Sequence, residues 1–186
     1  MIKGLPLGAN TVRGGVAAGI IAILASGVQA DEPERTIETY GGWELQCVRL
    51  PDAVDGAVRA CEIVQTMQLQ GQSQPLTRLA IGRPAPQADL VAVLQLPLGM
   101  WLPVGVTFDL GSEAGRHLAE LRRCLPMGCL AELALNDTIL TALRQDPEGE
   151  SAIEFAMQPD DPARVPLVHR GFAAAFDAMG RKMSPE

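Results

Sequence analysis

The sequence predicts a mainly β domain: an antiparallel β-sandwich or barrel-like fold with one short helix and a C-terminal amphipathic helix packed on the sheet. Three observations lead there. Short apolar runs alternate with a period of two, as strands with one buried face do. The 19 glycines and 14 prolines among 186 residues punctuate those runs at near-regular spacing. The strands show no regular alternation with helices, which a parallel sheet would require. With 47% apolar and 20% charged residues, the composition is that of a globular chain rather than a disordered one. A net charge of −7 argues against nucleic acid as a partner, because phosphate binding needs clustered Lys and Arg.

The first thirty residues read as a secretory signal peptide. Lys3 and Arg13 precede the uncharged apolar run Val16 to Ala25, and Val28-Gln29-Ala30 places small residues where a signal peptidase reads them. A membrane anchor is the weaker reading: the uncharged stretch from Gly14 to Ala30 is 17 residues, diluted by four Gly, a Ser and a Gln, whereas a span needs about 20 strongly apolar residues. No transmembrane span is then expected after cleavage, and no Cys before Cys47 is available for a lipid anchor. Cleavage removes two of the 15 basic residues and none of the 22 acidic ones, taking the net charge from −7 to −9. The charged stretch 31–40 reads as a loose leader, and 41–183 as a single β-rich domain. A chain of that length buries about two thirds of its unfolded surface, enough for one core without a structural metal.

Within the domain, strands are expected at Gly42 to Val48, Ala60 to Leu69, Leu76 to Gly82, Leu90 to Leu96, Val104 to Leu110, Leu118 to Arg123, Cys129 to Leu135 and Ser151 to Gln158. In the fifth, Val104, Val106, Phe108 and Leu110 share a face opposite Thr107 and Asp109; in the last, Ile153, Phe155 and Met157 oppose Glu154. Leu90 to Leu96 is apolar almost throughout, as a strand covered on both faces is. Asn136 is a good N-cap for a short helix Asp137 to Arg144, with an acidic first turn and a basic last one. Phe172, Phe176, Met179 and Met183 form one stripe of a helix from Arg170 to Lys182, wide enough to cover a sheet face. Pro84-Ala85-Pro86 and Asp160-Asp161-Pro162 read as loops.

Four cysteines, Cys47, Cys61, Cys124 and Cys129, are an even count in a chain marked for export, so disulfides are the first reading. Of three possible pairings, proximity favours Cys47 with Cys61 and Cys124 with Cys129. Alternation supports the first, since Trp43, Leu45 and Cys47 share one face and Cys61 and Ile63 another. Pro126 and Gly128 supply turn chemistry within the second. A four-thiolate zinc site fails on spacing, because thirteen and four intervening residues are not paired metal knuckles.

Catalytic signatures are weak. The two histidines, His117 and His169, sit among residues that read as surface or element boundary, and Gly71-Gln72-Ser73-Gln74 lacks the second glycine of a nucleophile elbow. Phosphate-cradling glycine loops do not occur in a strand-to-helix context. The acidic pairs Asp52 with Asp55 and Asp160 with Asp161 read as solvated loop carboxylates rather than a hydrolase dyad or calcium site. Arg116, Arg122 and Arg123, with His117, form the one basic cluster of an acidic chain; the plainer reading is the polar face of a strand, and the functional one makes them the candidate interaction surface for an anionic partner. No catalytic residue, metal or cofactor is expected. A binding module is the first functional reading; a carboxylate-dependent periplasmic hydrolase and a small-ligand carrier are the alternatives.

Five features together resemble the invasion-associated locus B family: Trp43-x3-Cys47, Cys61-x3-Gln65, the run Leu96 to Val106 (LPLGMWLPVGV), the segment Cys124-Leu125-Pro126-Met127-Gly128-Cys129-Leu130-Ala131, and Gly171-Phe172 before the final helix. They span nearly the whole mature chain in the family's order. Leu121 stands where the family carries a phenylalanine, which is an exchange of core residues. The resemblance implies an exported bacterial protein, periplasmic, secreted or outer-membrane associated, from a family named for assisting entry into host cells. It implies an envelope or host-surface protein as partner, and no catalytic residues.

The signal-peptide reading has a direct check. N-terminal sequencing of the protein from an envelope fraction should begin at Asp31, and recovery of a membrane-bound form that retains Met1 would refute cleavage.

Overall fold

A computed structural model describes residues 35–49, 59–68, 77–85, 87–149 and 151–183, all within the compact unit Glu32–Glu186. Ten strands form one antiparallel sheet: β1 (Arg35–Tyr40), β2 (Trp43–Arg49), β3 (Arg59–Met67), β4 (Thr77–Gly82), β5 (Val91–Leu96), β6 (Val106–Asp109), β7 (Arg116–Leu125), β8 (Gly128–Ala134), β9 (Ser151–Gln158) and β10 (Asp161–Leu167). Their spatial order is β1-β2-β3-β4-β5-β8-β7-β6-β9-β10, with the sheet left open between its edge strands β1 and β10. Among the described residues three helices accompany the sheet: α1 (Gly111–Ala114), α2 (Asp137–Gln145) and α3 (Phe172–Met183).

The sheet folds over a single core because one strand serves two partners. Val106 to Asp109 of β6 pair with Arg116 to Ala119 of β7, whereas β8 pairs with β7 from Glu120 onwards. A bulge between Leu121 and Arg123 falls just beyond that exchange, and bulges bend a strand and increase its twist. Trp43, Leu45, Ile63, Leu79 and Leu94 from one end of the sheet then share a core with Phe108, Ile153 and Val165 from the other. This is the sandwich-like arrangement that the alternation predicts.

Two strands lie where loops were expected. Residues 35–40 of the expected leader are β1, paired with β2 through a two-residue Gly41-Gly42 turn. Its half-buried face carries Thr36, Glu38 and Tyr40 while Ile37 points outward. An edge strand with polar residues on its inner face hides from a hydropathy reading. Asp161-Pro162 likewise opens β10, whose Val165 and Leu167 are buried. Pro162 and Pro166 are compatible with that position because β10 is an edge strand, where proline forfeits no ladder bond.

Two face assignments also differ from expectation. Val104 does not share the inner face of Val106: a 3-10 turn, Leu102–Val104, lifts it out of the strand and leaves it exposed. In β5, Ala92, Leu94 and Leu96 are buried and their neighbours half-buried, so cover is heavier on one face. The helices follow the sequence reading more closely. Asn136 caps α2, its Oδ1 accepting from the Ile139 amide at 3.0 Å. Phe172, Ala175, Ala178 and Met179 of α3 are buried, with Phe176 and Met183 half-buried beside them, and the helix packs on β3, β2 and β1.

Hydrogen bonds from three residues at one end of the sheet, Gln65, Trp43 and Gly42, fasten the end of β10 and the approach to α3 at the other. The Gln65 carboxamide is 3% exposed; its Nε2 donates to the Val168 carbonyl at 2.9 Å and to the Gly42 carbonyl at 3.2 Å, while its Oε1 accepts from the Val168 amide at 2.9 Å. Trp43 Nε1 donates to the same Val168 carbonyl at 2.8 Å. Gly42 donates its amide to the Arg170 carbonyl at 3.0 Å. Gly171 (φ 94°) allows the approach, because a Cβ there would lie 1.9 Å from the Tyr40 carbonyl oxygen. The Phe172 ring then meets Trp43 edge-on at 5.2 Å and stacks on Phe176 at 5.5 Å.

The packing sets an order of cost. Phe172→Ala should destabilise the domain by about 3–5 kcal/mol, the usual cost of a large buried aromatic, with Phe176→Ala costing less because its ring is only half-buried. Gln65→Leu should cost about 1–3 kcal/mol for each polar group it orphans. Urea midpoints of the three variants check this, and an unchanged midpoint for Phe172→Ala would show that α3 does not hold the core.

Candidate functional site

Residues 96–106 leave the core and return to it. Leu96 and Met100 are buried at the start, Val106 at the end, and the Trp101 amide is tied to the Ala156 carbonyl at 2.7 Å. Between these anchors Leu98, Trp101, Leu102 and Val104 remain exposed. Leu118, 69% exposed on β7, reaches within 3.0 Å of the Cβ position of Gly105. On the other side lies the β7–β8 hairpin tip. Gln95 Nε2 donates to the Met127 carbonyl at 2.7 Å, and a Cβ on Gly128 (φ 142°) would lie 2.5 Å from the Leu96 carbonyl oxygen. Met127 itself is 68% exposed. Of eight exposed large apolar side chains among the described residues, six therefore lie on or beside this one segment. Concentration of that kind marks interaction sites, whereas apolar residues scattered singly need no explanation.

The three arginines of the candidate interaction surface lie along β7 in different circumstances. Arg116 pairs with Asp109 and Glu154, and Arg164 pairs with the same two carboxylates from β10. This network spans β7, β6, β9 and β10. The hydrogen bond from Arg164, then that from the Gly111 amide, holds the Asp109 carboxyl below the usual carboxylate range. Arg122, at the bulge, contacts Glu120 at 2.8 Å and Glu132 at 2.7 Å; these two glutamates are directly opposed in register. Hydrogen bonding to Glu132 and the charge of Glu120 push its guanidinium up further. Arg123 is exposed with no ion-pair partner among the described residues. The fold thus uses the charge of Arg116 and Arg122 internally and leaves that of Arg123 toward solvent. Sequence spacing could not separate them, because the neutralising Asp109, Glu132 and Glu154 come from three other strands.

Both cysteine pairs favoured by spacing are joined. Cys47–Cys61 and Cys124–Cys129 each link residues directly opposed across an antiparallel pair. Cys47, Cys61 and Cys129 are buried, while Cys124 is exposed.

Both histidines lie at element boundaries, as the sequence reads: His117 near the start of β7 and His169 between β10 and α3. His117 bonds the Ala114 carbonyl at 2.8 Å. His169 is also buried: its Nδ1 donates to the Asp146 carbonyl at 2.7 Å, and its Nε2 faces the Ser151 hydroxyl at 2.7 Å. A serine-histidine contact thus exists that the sequence did not reveal, since 18 residues separate the two. Its third member is a main-chain carbonyl rather than a carboxylate, and Ser151 is buried at the start of a strand. The pair fits a structural link between β9 and the end of β10 better than an exposed nucleophile.

Among the described residues, carboxylate pairs offer no better centre. Gly71 to Gln74 and the pair Asp52 and Asp55 lie outside the described residues, and Asp160 and Asp161 are exposed at the β9–β10 turn. A depression beside α2 brings in Asp137 and Asp146. These aspartates stand at opposite ends of that helix, about 13 Å apart by helical rise, beyond the roughly 5–10 Å of a glycosidase dyad. Among the described residues no three metal-ligating side chains converge, and no helix is long and apolar enough to cross a membrane.

A family model described as Invasion associated locus B (IalB) protein matches residues 43–180. An Invasion protein B homolog of Brucella abortus (strain 2308) is 27% identical over 140 residues, covering 75% of this chain and 76% of its own; the homolog of biovar 1 (strain 9-941) matches to the same extent. The crystal structure of invasion associated protein B from Bartonella henselae superposes with a TM-score of 0.64 at 17% identity, covering 81% of this chain and 99% of that one.

The Asp109 network has a pH signature. A carboxyl held below its unfolded range contributes stability that is present above the unfolded value, about pH 4, and lost as pH falls through the folded one. Urea midpoints should therefore fall below about pH 4, with a shallower acid slope in Asp109→Asn. Identical slopes in the two proteins would remove Asp109 as a contributor.

Proposed function

The chain belongs to the invasion-associated locus B family, and from that premise we propose that it is an exported envelope or secreted protein that acts by binding rather than by catalysis. Its target is a protein of the envelope or of a host surface, in keeping with the names of its Brucella relatives. The N-terminal signal-peptide pattern and the two disulfides support an exported location, since such bridges persist in oxidising compartments.

The observation that carries the reading is the exposed apolar segment. Residues 96–106 are anchored at Leu96, Met100 and Val106 and by the Trp101 amide, yet they present Leu98, Trp101, Leu102 and Val104 to solvent beside Leu118. Anchored backbone with apolar side chains outward is a pre-organised surface, which loses little entropy on binding. Trp101 is the aromatic among them, the residue type most often found at energetic centres of interfaces. Arg123, exposed and without an ion-pair partner among the described residues, supplies a positive charge on neighbouring β7; Arg116 and Arg122 contribute to that charged face through their networks.

The test compares capture by the wild-type protein with capture by Trp101→Ala and Leu118→Asp, using envelope extract and host-cell membranes as separate sources. Both variants should keep the wild-type urea midpoint to within about 1 kcal/mol in stability, as exposed positions do, and should lose a partner that the wild type retains. Wild-type capture by both variants would place the binding surface elsewhere.

A further inference from the structure

The two disulfides have the same cross-strand geometry and opposite surroundings. Cys47 and Cys61 lie within the core cluster that also holds Trp43, Leu45 and Ile63. Cys124–Cys129 closes the β7–β8 tip, with Cys129 buried and Cys124 exposed. We infer that Cys124–Cys129 is a selectively reducible bridge, attacked at the Cys124 sulfur by a thiol or dithiol reductant while the domain stays folded and Cys47–Cys61 stays closed.

Disulfide exchange requires a thiolate to reach one of the two sulfurs. At the core bridge both cysteines are buried, so attack waits for the domain to open. At the tip Cys124 is accessible. Arg123 stands next to it, exposed and without an ion-pair partner among the described residues, and a neighbouring cation favours thiolates.

The reductant's thiolate forms a bond to Cys124 Sγ; the Sγ–Sγ bond breaks and its electron pair leaves on Cys129 Sγ, which takes a proton from water. A second thiolate, from the same dithiol or from a second molecule of a monothiol, then attacks the reductant's sulfur in the mixed disulfide. Cys124 leaves as a thiolate and takes up a proton, and the reductant is left oxidised to its own disulfide. Two electrons pass to the bridge. Opening it removes the covalent one of three restraints on the tip, the others being Gln95 on the Met127 carbonyl and Gly128 against Leu96. The exposed Met127 is thereby loosened while the core remains.

The oxidised full chain, without denaturant, is incubated with dithiothreitol or with reduced glutathione, quenched in acid, alkylated and mapped by mass spectrometry. Cys124 and Cys129 should become alkylated at least about a thousandfold faster than Cys47 and Cys61, whose exposure is suppressed by the equilibrium constant of unfolding. Glutathione should be trapped on Cys124. Arg123→Glu should slow reduction by glutathione, whose attacking form carries carboxylates besides its thiolate, more than reduction by dithiothreitol, whose attacking form carries the thiolate charge alone. The double variant Cys124→Ser/Cys129→Ser should fold, with Cys47–Cys61 intact. Parallel opening of both bridges, resistance of Cys124–Cys129 until unfolding, glutathione on Cys129, an Arg123→Glu effect on dithiothreitol as large as on glutathione, or failure of the double variant to fold would each overturn the inference.

Discussion

The buried carboxamide of Gln65 is the contact on which the rest of the fold turns, because it is where an open sheet is made to hold one core. β10 lies at the far edge from β2 and β3, yet Val168, just beyond its end, gives both its amide and its carbonyl to Gln65 and shares that carbonyl with Trp43. A buried amide side chain that satisfies main-chain groups it would otherwise leave orphaned is more than a neutral contact, since each unmade bond carries its full desolvation cost. Gly171 then brings the chain against the Tyr40 carbonyl and delivers Phe172 onto Trp43. Three of the five sequence features that carry the family resemblance, those containing Trp43, Gln65 and Gly171-Phe172, are thereby parts of one junction.

The remaining two features meet at a second junction with a different character. Gly128 between the tip cysteines sits over the Leu96 carbonyl, so the hairpin tip and the start of the 96–106 segment fit one another. At the first junction Trp43, Gln65 and Phe172 are buried and their polar groups are paired. At the second the backbone is pinned while Leu98, Trp101, Leu102 and Met127 face solvent. Restraint without burial contributes little to a core, so the first junction serves folding, and the second is the surface on which the proposed binding rests.

Charge on the outer face is organised by strand order. Asp109 and Glu154 lie on the adjacent inner strands β6 and β9, flanked by Arg116 on β7 and Arg164 on β10, each of which pairs with both carboxylates, and the bulge in β7 places Arg122 between Glu120 and Glu132. Two directly opposed glutamates repel, and the intervening guanidinium removes that cost. Exposed pairs of this kind add little stability individually; their effect is to set which cations remain available to another molecule.

What the sequence by itself determined was the local grammar. Period-two alternation located eight of the ten strands, the Asn136 cap and the 172–183 stripe located two helices, and short spacing together with face matching identified both disulfides. Each of these rests on neighbours along the chain. The tertiary structure decided whatever depends on residues far apart in sequence. β1 and β10 escaped notice because edge strands need not show an aliphatic inner face and can tolerate proline. Val104 left the strand pattern through a short turn, His169 became buried by meeting Ser151 and the Asp146 carbonyl, and the arginines of β7 were told apart by carboxylates from other strands. Gln65 shows the division most clearly: its identity is written in the sequence, but its three hydrogen bonds join it to Gly42 and Val168, 23 and 103 residues away. No local pattern encodes which main-chain groups the folded core would leave in need of a partner.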